Sequence, residues 1–313
     1  MLSISTRPTR LLPTLLALVA LCVAALLSAC SPMRALNALS PGDTYRATSD
    51  VAYGANPRQQ LDVYTPTAVA PPGGWPVAVF FYGGSWRHGS RADYRFVGEA
   101  LASRGILALV ADYRLYPEVS YPDFLHDSAK ALAWGLEHAA ALGGDAKRVF
   151  VMGHSAGGYN AAMLALDARW LRAEGHAPGE LAGWVGLAGP YDFFPSDNGD
   201  VQLVFHDPAY PRGGQPSEHA ASTLRTFLGA AKTDSLVDPQ RNTVRLATAL
   251  KTAGADVTLR LYDRVNHLTL AGAFAAPLRF LAPVLDDVAG FMAGTPGRTT
   301  GAVPAARKSA EAG

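Results

Sequence analysis

Val149-Phe-Val-Met-Gly-His-Ser-Ala-Gly-Gly158 is the stretch on which the reading of this 313-residue chain turns. Four apolar, mostly β-forming residues, Val149 to Met152, lead into Gly-His-Ser-Ala-Gly, and Tyr159-Asn-Ala-Ala-Met-Leu-Ala-Leu166 then has the composition of a helix. Strand, sharp turn and helix in that order make a nucleophile elbow with Ser155 at its apex. Such a turn strains the backbone of its central residue, and side chains two positions to either side would collide. Gly153 and Gly157 meet that demand. A chance Gly-x-Ser-x-Gly in a loop would lack the flanking strand and helix, and both are present here.

Working outward, strands and helices alternate as in a mostly parallel sheet covered by helices on both faces, an α/β architecture. Strands are expected over residues 60–65, 77–82, 106–110, 181–187, 226–229 and 257–262, and helices over 93–104, 123–141, 240–253 and 283–292. The domain spans residues 46–294. Residues 193–222 break the rhythm, being rich in Pro, Gly, Asp and Ser without a sustained period, and read as a small cap over the catalytic edge of the sheet. The Gly/Ala/Thr/Pro-rich segment 295–313 reads as a disordered tail. Hydrophobic content of 49% against 17% charged is ample for one large core. A formal net charge of +1 leaves no basic footprint, so nucleic acid is not an expected partner.

Residues 1–29 read as a lipoprotein signal peptide, with an ordinary secretory peptide or an uncleaved anchor as the alternatives. Arg7 and Arg10 precede an apolar stretch from Leu11 to Leu27, and Leu27-Ser-Ala-Cys30 closes it. That ending resembles the bacterial lipobox, in which the Cys is acylated and becomes the new N-terminus. Lipidation at Cys30 would hold the protein to a membrane of the bacterial cell envelope. Ser31, rather than Asp, points to the periplasmic side of the outer membrane. Residues 30–45 read as a tether with little pattern. Cys22 and Cys30 are the two cysteines of the chain, so the body carries no disulfide framework and no thiolate metal site.

A serine hydroxyl needs a base to become nucleophilic, and the base needs an orienting acid. After an elbow serine the acid and then the histidine follow in chain order. Downstream of Ser155 stand His176, His206, His219 and His267. His267 alone lies on a loop just past a late strand, and the others read as surface residues in or near the cap. For the acid, the loop after the 226–229 strand offers Asp234 and Asp238. Asp238 directly precedes Pro239-Gln240, where it reads as a helix cap, which leaves Asp234 as the acid. Asp263 reads as a surface turn. Phe80-Phe-Tyr-Gly-Gly-Ser-Trp86 follows a buried strand, and its two glycines let the backbone curl to present amides to an oxyanion, together with that of Ala156. His154 reads as pointing away from the chemistry and His88 as loop surface. Neither belongs to a cluster at ligand spacing, so no metal or other cofactor is expected. Trp86, Tyr191, Phe193 and Phe194 are candidates for a pocket lining or for anchoring the cap.

These segments, with Asp112-Tyr-Arg-Leu-Tyr-Pro117, make residues 50–292 resemble the α/β-hydrolase superfamily. The likeness is greatest to small carboxylesterases with a His-Gly-Gly-x-Trp oxyanion motif: acetyl and feruloyl esterases, prenylcysteine methylesterases and arylformamidases. The resemblance implies an α/β-hydrolase fold with a mostly parallel eight-stranded sheet. It also implies a Ser155, Asp234 and His267 triad, and an oxyanion hole from Gly84, Ser85 and Ala156. The expected activity is hydrolysis of small to medium carboxylic esters through an acyl-enzyme, with a small ester as substrate partner. An amidase or peptidase with the same triad, and a non-catalytic envelope lipoprotein of the same fold, are the alternatives. One position departs from the pattern: Tyr82 stands where these families usually carry His.

Overall fold

The computed structural model describes residues 32–294. The leader, Cys30 and the 295–313 tail lie outside the described residues, and so do the expectations attached to them.

Eight strands form one sheet: β1 (Tyr45–Ala52), β2 (Gln60–Pro66), β3 (Trp75–Phe81), β4 (Leu107–Ala111), β5 (Gly144–His154), β6 (Gly183–Leu187), β7 (Thr226–Ala231) and β8 (Val257–Tyr262). Their order across the sheet is β1-β2-β4-β3-β5-β6-β7-β8. β2 runs antiparallel to both of its neighbours, and the strands from β4 to β8 are parallel. The fold is that of an α/β hydrolase, with the eight strands the resemblance implies. Every residue of β4, β6 and β7 is buried, which is why these strands read as continuous apolar runs.

The helices are α1 (Pro32–Ala38), α2 (Arg95–Ala102), α3 (Asp123–His138), α4 (Ala156–Leu166), α5 (Ala168–Ala173), α6 (Gly199–Val204), α7 (Arg245–Thr252), α8 (His267–Gly272) and α9 (Val284–Ala293). Alternate residues of β3 show how they cover both faces. A Cβ on Gly135 of α3 would stand 2.7 Å from Val79 Cγ2, so α3 packs flush on one face. Phe80, pointing the other way, meets Tyr94 at the foot of α2 with ring centroids 5.8 Å apart. Phe150, in the same row as Phe80 and Ala78, meets Phe291 of α9.

Two boundaries differ from expectation. The tether over residues 30–45 needs correcting: residues 32–38 are helical, and Met33 and Leu36 pack against the core. Asn37 holds this helix down, donating to the Ala92 carbonyl at 2.8 Å and accepting from the Phe96 amide at 3.0 Å. Strand β1 was not expected at all. It is a solvated edge strand, exposed at most positions, so neither alternation nor an apolar run marks it. Among the described residues no helix is long and apolar enough to cross a membrane.

The parallel register sets up the site. Phe81 pairs with Gly153 and His154 with Leu187, so the segments leaving β3, β5 and β6 emerge side by side at one edge. Those leaving β7 and β8 emerge at the same carboxyl edge, where Ala231 pairs with Tyr262. Ligands of open α/β sheets bind there.

Candidate active site

Ser155 joins β5 to α4 with φ 55° and ψ −123°, outside the regions an L-residue favours. The turn is held by the Ser155 amide donating to the Leu187 carbonyl at 2.8 Å and by the Tyr159 amide donating to the Ser155 carbonyl at 3.0 Å. A Cβ at position 153 would stand 2.0 Å from the Gly157 carbonyl oxygen, and one at 157 the same distance from the Phe81 carbonyl oxygen. Glycine is required at both by close approach.

The three side chains, far apart in sequence, meet at this point. His267 Nε2 lies 2.8 Å from Ser155 Oγ, and His267 Nδ1 lies 2.7 Å from Asp234 Oδ2. A carboxylate only accepts, so Nδ1 carries the proton and Nε2 faces the hydroxyl as acceptor. The other oxygen of Asp234 accepts from the amides of Leu236 at 2.9 Å and Val237 at 3.0 Å. Burial by itself would raise the Asp234 pKa. The bond from His267 and those two amides outweigh it and hold the carboxyl below its ordinary range.

Asp238 does what the cap assignment requires, accepting from the Gln240 amide at 2.7 Å and the Arg241 amide at 3.2 Å. Asp263 pairs with Lys232 at the surface. His176 sits beside Glu180, His206 bonds the Tyr121 carbonyl and His219 the Gly213 carbonyl, so none of these reaches Ser155.

Two histidine expectations change. His267 is the first residue of α8, capped by Asn266, whose side chain accepts from the Leu268 and Thr269 amides. The candidate base therefore stands on a helix end instead of a free loop. His154 does not point away: its buried ring lies 5.0 Å from that of His267 and bonds the His267 carbonyl.

The loop after β3 curls as its glycines suggest. Gly84, Ser85 and Trp86 all have positive φ, at 128°, 53° and 56°. A Cβ at 84 would lie 2.1 Å from the His88 carbonyl oxygen, and one at 83 would lie 2.8 Å from Ser155 Cβ. The loop thus passes directly over Ser155. Gly83→Ala should push it outward and lower kcat about a hundredfold with little change in melting temperature, measured on a soluble ester.

Tyr82 anchors this loop from below. Its hydroxyl donates to Asp112 Oδ1 at 2.7 Å and accepts from Arg58 at 2.8 Å, while the ring stacks between Tyr94 and Tyr113. Burial and the neighbouring Asp112 raise its pKa, keeping the phenol neutral. Arg91 also pairs with Asp112 and, at 3.0 Å, with Asp62, so the phenol is one member of a buried ionic cluster beneath the loop.

Beside Ser155 and His267 opens a cavity of about 190 Å³, walled by Ser85, Trp86, Ala156, Pro190 and Phe193 and by the loop residues Leu236 and Val237. Ser196, Asn198 and Val201 of the 193–222 segment also line it. Ser85 and Ala156 of the expected oxyanion donors line it, with Gly84 adjoining. Of the aromatic candidates, Trp86 and Phe193 reach the cavity. Tyr191 is buried edge-on against Trp184, and Phe194 stacks on Tyr210 inside the cap. Leu236 and Val237 had no sequence signal beyond their nearness to Asp234. Among the described residues no cluster of His, Cys, Asp and Glu could hold a metal.

Comparison with known proteins agrees with this architecture. The BD-FAE family model matches residues 61–234. A probable isoprenylcysteine alpha-carbonyl methylesterase of Oryza sativa subsp. japonica is 30% identical over 243 residues, covering 70% of this chain and 56% of that protein. Esterase LipC of Mycobacterium tuberculosis is 36% identical over 152 residues, 46% of this chain and 36% of its own length. The chain spans between 50% and 57% of the length of three plant relatives and about a third of two others. Among solved structures, a truncated carbohydrate esterase from gut microbiota superposes with TM-score 0.69 at 18% identity, covering 82% of this chain and 98% of that one, a likeness of fold alone. Thermogutta terrifontis esterase 2, phosphoramylated by tabun, gives TM-score 0.63 at 25% identity over 81% of this chain and 96% of that one. Since the family match runs from the second strand through Asp234, over more than half of the sequence, the chain belongs to the BD-FAE family of α/β hydrolases.

Proposed function

We propose that this protein is a serine carboxylesterase acting on small to medium carboxylic esters through Ser155, His267 and Asp234. The observation that carries this reading is the unbroken hydrogen-bonded line from Asp234 through His267 to Ser155, ending at the wall of a cavity. The esterases among the relatives and structural neighbours support it.

In this mechanism His267 Nε2 takes the hydroxyl proton as Ser155 Oγ attacks the ester carbonyl. The oxyanion is received by the amides of Gly84, Ser85 and Ala156, each donor worth roughly 100- to 1000-fold in turnover. Ala156 opens α4, so the positive end of that helix adds to the stabilisation. The alcohol leaves with the proton from His267. Water, deprotonated by the same imidazole, then releases the acid, while ionised Asp234 stabilises the imidazolium in both steps.

A cavity of about 190 Å³ is smaller than the ~300–1,000 Å³ of drug-sized sites, which favours short acyl groups. Purified protein lacking residues 1–29 should therefore cleave p-nitrophenyl acetate and butyrate well and long-chain esters poorly. Matched p-nitroanilides of the same acids should react far more slowly. Anilide or formamide rates equal to the ester rates would move the reading to an amidase, and activity on none of them would favour a binding protein.

We also propose, on the strength of residues 1–30 alone, that Cys30 is acylated and anchors the protein to a membrane of the cell envelope. Cys30→Ser should then shift the protein from the membrane fraction to the soluble one. An unchanged distribution rejects the anchor and leaves the catalytic proposal intact.

A further inference from the structure

His154, the residue between Gly153 and the nucleophile, is buried, and the acid–base chemistry makes no use of it. Its Nε2 lies 2.9 Å from the main-chain carbonyl oxygen of His267. A carbonyl can only accept, so Nε2 carries the proton and Nδ1 is bare. That Nδ1 is buried and finds no hydrogen-bond partner among the described residues. Among the described residues the ring therefore has one polar contact, and it goes to the residue whose side chain is the proposed base.

We propose that His154 is a positioning residue, clamping the backbone of His267 so that its imidazole stays in line with Ser155. The inference rests on the esterase reading and adds to it a second, main-chain tie between nucleophile and base. The geometry favours such a tie. Ser155 belongs to the elbow at the end of β5, whereas His267 begins α8, a helix of six residues. Asn266 secures the helix amides, and Asp234 secures the far nitrogen of the ring. His154 fixes the carbonyl between them. Because His154 is covalently bonded to Ser155, its donation fixes the distance between the two reacting side chains more directly than any remote contact could.

A neutral donor is needed here, since a cation would oppose the imidazolium that forms on His267 during each step. Burial, then the nearby charge of His267, depress the His154 pKa to about 3, so it remains uncharged wherever the enzyme works. The groups facing it are His267, Asp234 and the glycine loop at Gly83, where an added Cβ would lie 3.4 Å from His154 Nδ1.

Two substitutions separate positioning from bulk structure. His154→Gln places an amide N–H near the Nε2 position, whereas the shorter His154→Asn cannot reach the His267 carbonyl. The expected result is a kcat for His154→Asn lowered about tenfold to a hundredfold with KM unchanged. His154→Gln should recover kcat to within about threefold, with both variants melting at similar temperatures. A wild-type kcat in His154→Asn, or equal losses in both variants, overturns the proposal. A loss that appears in KM alone also overturns it. Ser155→Ala run alongside distinguishes the two levels: if it too retains activity, the esterase reading has failed, and if it alone is inactive, only the role of His154 has.

Discussion

Ser155→Ala is expected to reduce ester hydrolysis by about 10⁶-fold in kcat, with substrate still bound and unfolding at nearly the wild-type denaturant concentration. The hydroxyl makes one side-chain bond, to His267, and the hydrogen bonds that hold the elbow run through main-chain atoms of Ser155. Alanine at φ 55° carries the same backbone strain as serine, so stability should move by less than about 1 kcal/mol. His267→Ala should cost a similar factor, and the double variant no more than either single one, because nucleophile and base act as a unit. Single variants with losses that multiply in the double variant would show that the two residues work independently, against the proposed mechanism.

Asp234→Asn should lower kcat by about 10⁴-fold, because an amide can donate to His267 Nδ1 and stabilise the tautomer with its proton on Nε2. Asp238→Asn serves as the internal contrast. Asparagine caps a helix start as well as aspartate, so activity and stability should both stay near wild type. The pH dependence of stability gives a second readout for Asp234. Its folded pKa lies below the unfolded value of about 3.9, so the ionised carboxylate contributes stability above that pH, and the contribution disappears as pH falls through the depressed folded value. Urea midpoints of wild type should therefore drop more steeply into acid than those of Asp234→Asn. Parallel acid limbs would contradict the assignment of the buried carboxylate.

Sequence legibility followed burial and chain order. Met152 and its neighbours in β5 are covered on both faces, so their apolar run announces a central strand. That Ser155, Asp234 and His267 would come together was legible because the elbow is a local steric device and the order of the remaining residues follows from the fold. Asp238 separated from Asp234 by its place before Pro239, again a local signal. What escaped was tertiary or solvated. β1 exposes most of its residues and carries no pattern, and α1 holds the body through Met33, Leu36 and the polar side chain of Asn37. The cap has an aromatic core in which Phe205 packs on Trp86 and Tyr121, yet these rings are spaced without period in sequence. Tyr82 likewise could be seen to replace a histidine, but Asp112 and Arg58 meet it only after the sheet has formed. The contact of His154 with His267 spans 113 positions and has no local trace.

In the proposed mechanism an imidazole held by Asp234 makes Ser155 a nucleophile. The most direct measurement is intact-mass and peptide-level mass spectrometry after a short exposure of the protein to a fluorophosphonate. The expected result is one adduct per chain, located on Ser155, abolished in Ser155→Ala and greatly slowed in His267→Ala. An active preparation that remains unlabelled, or one labelled at another residue, would contradict it.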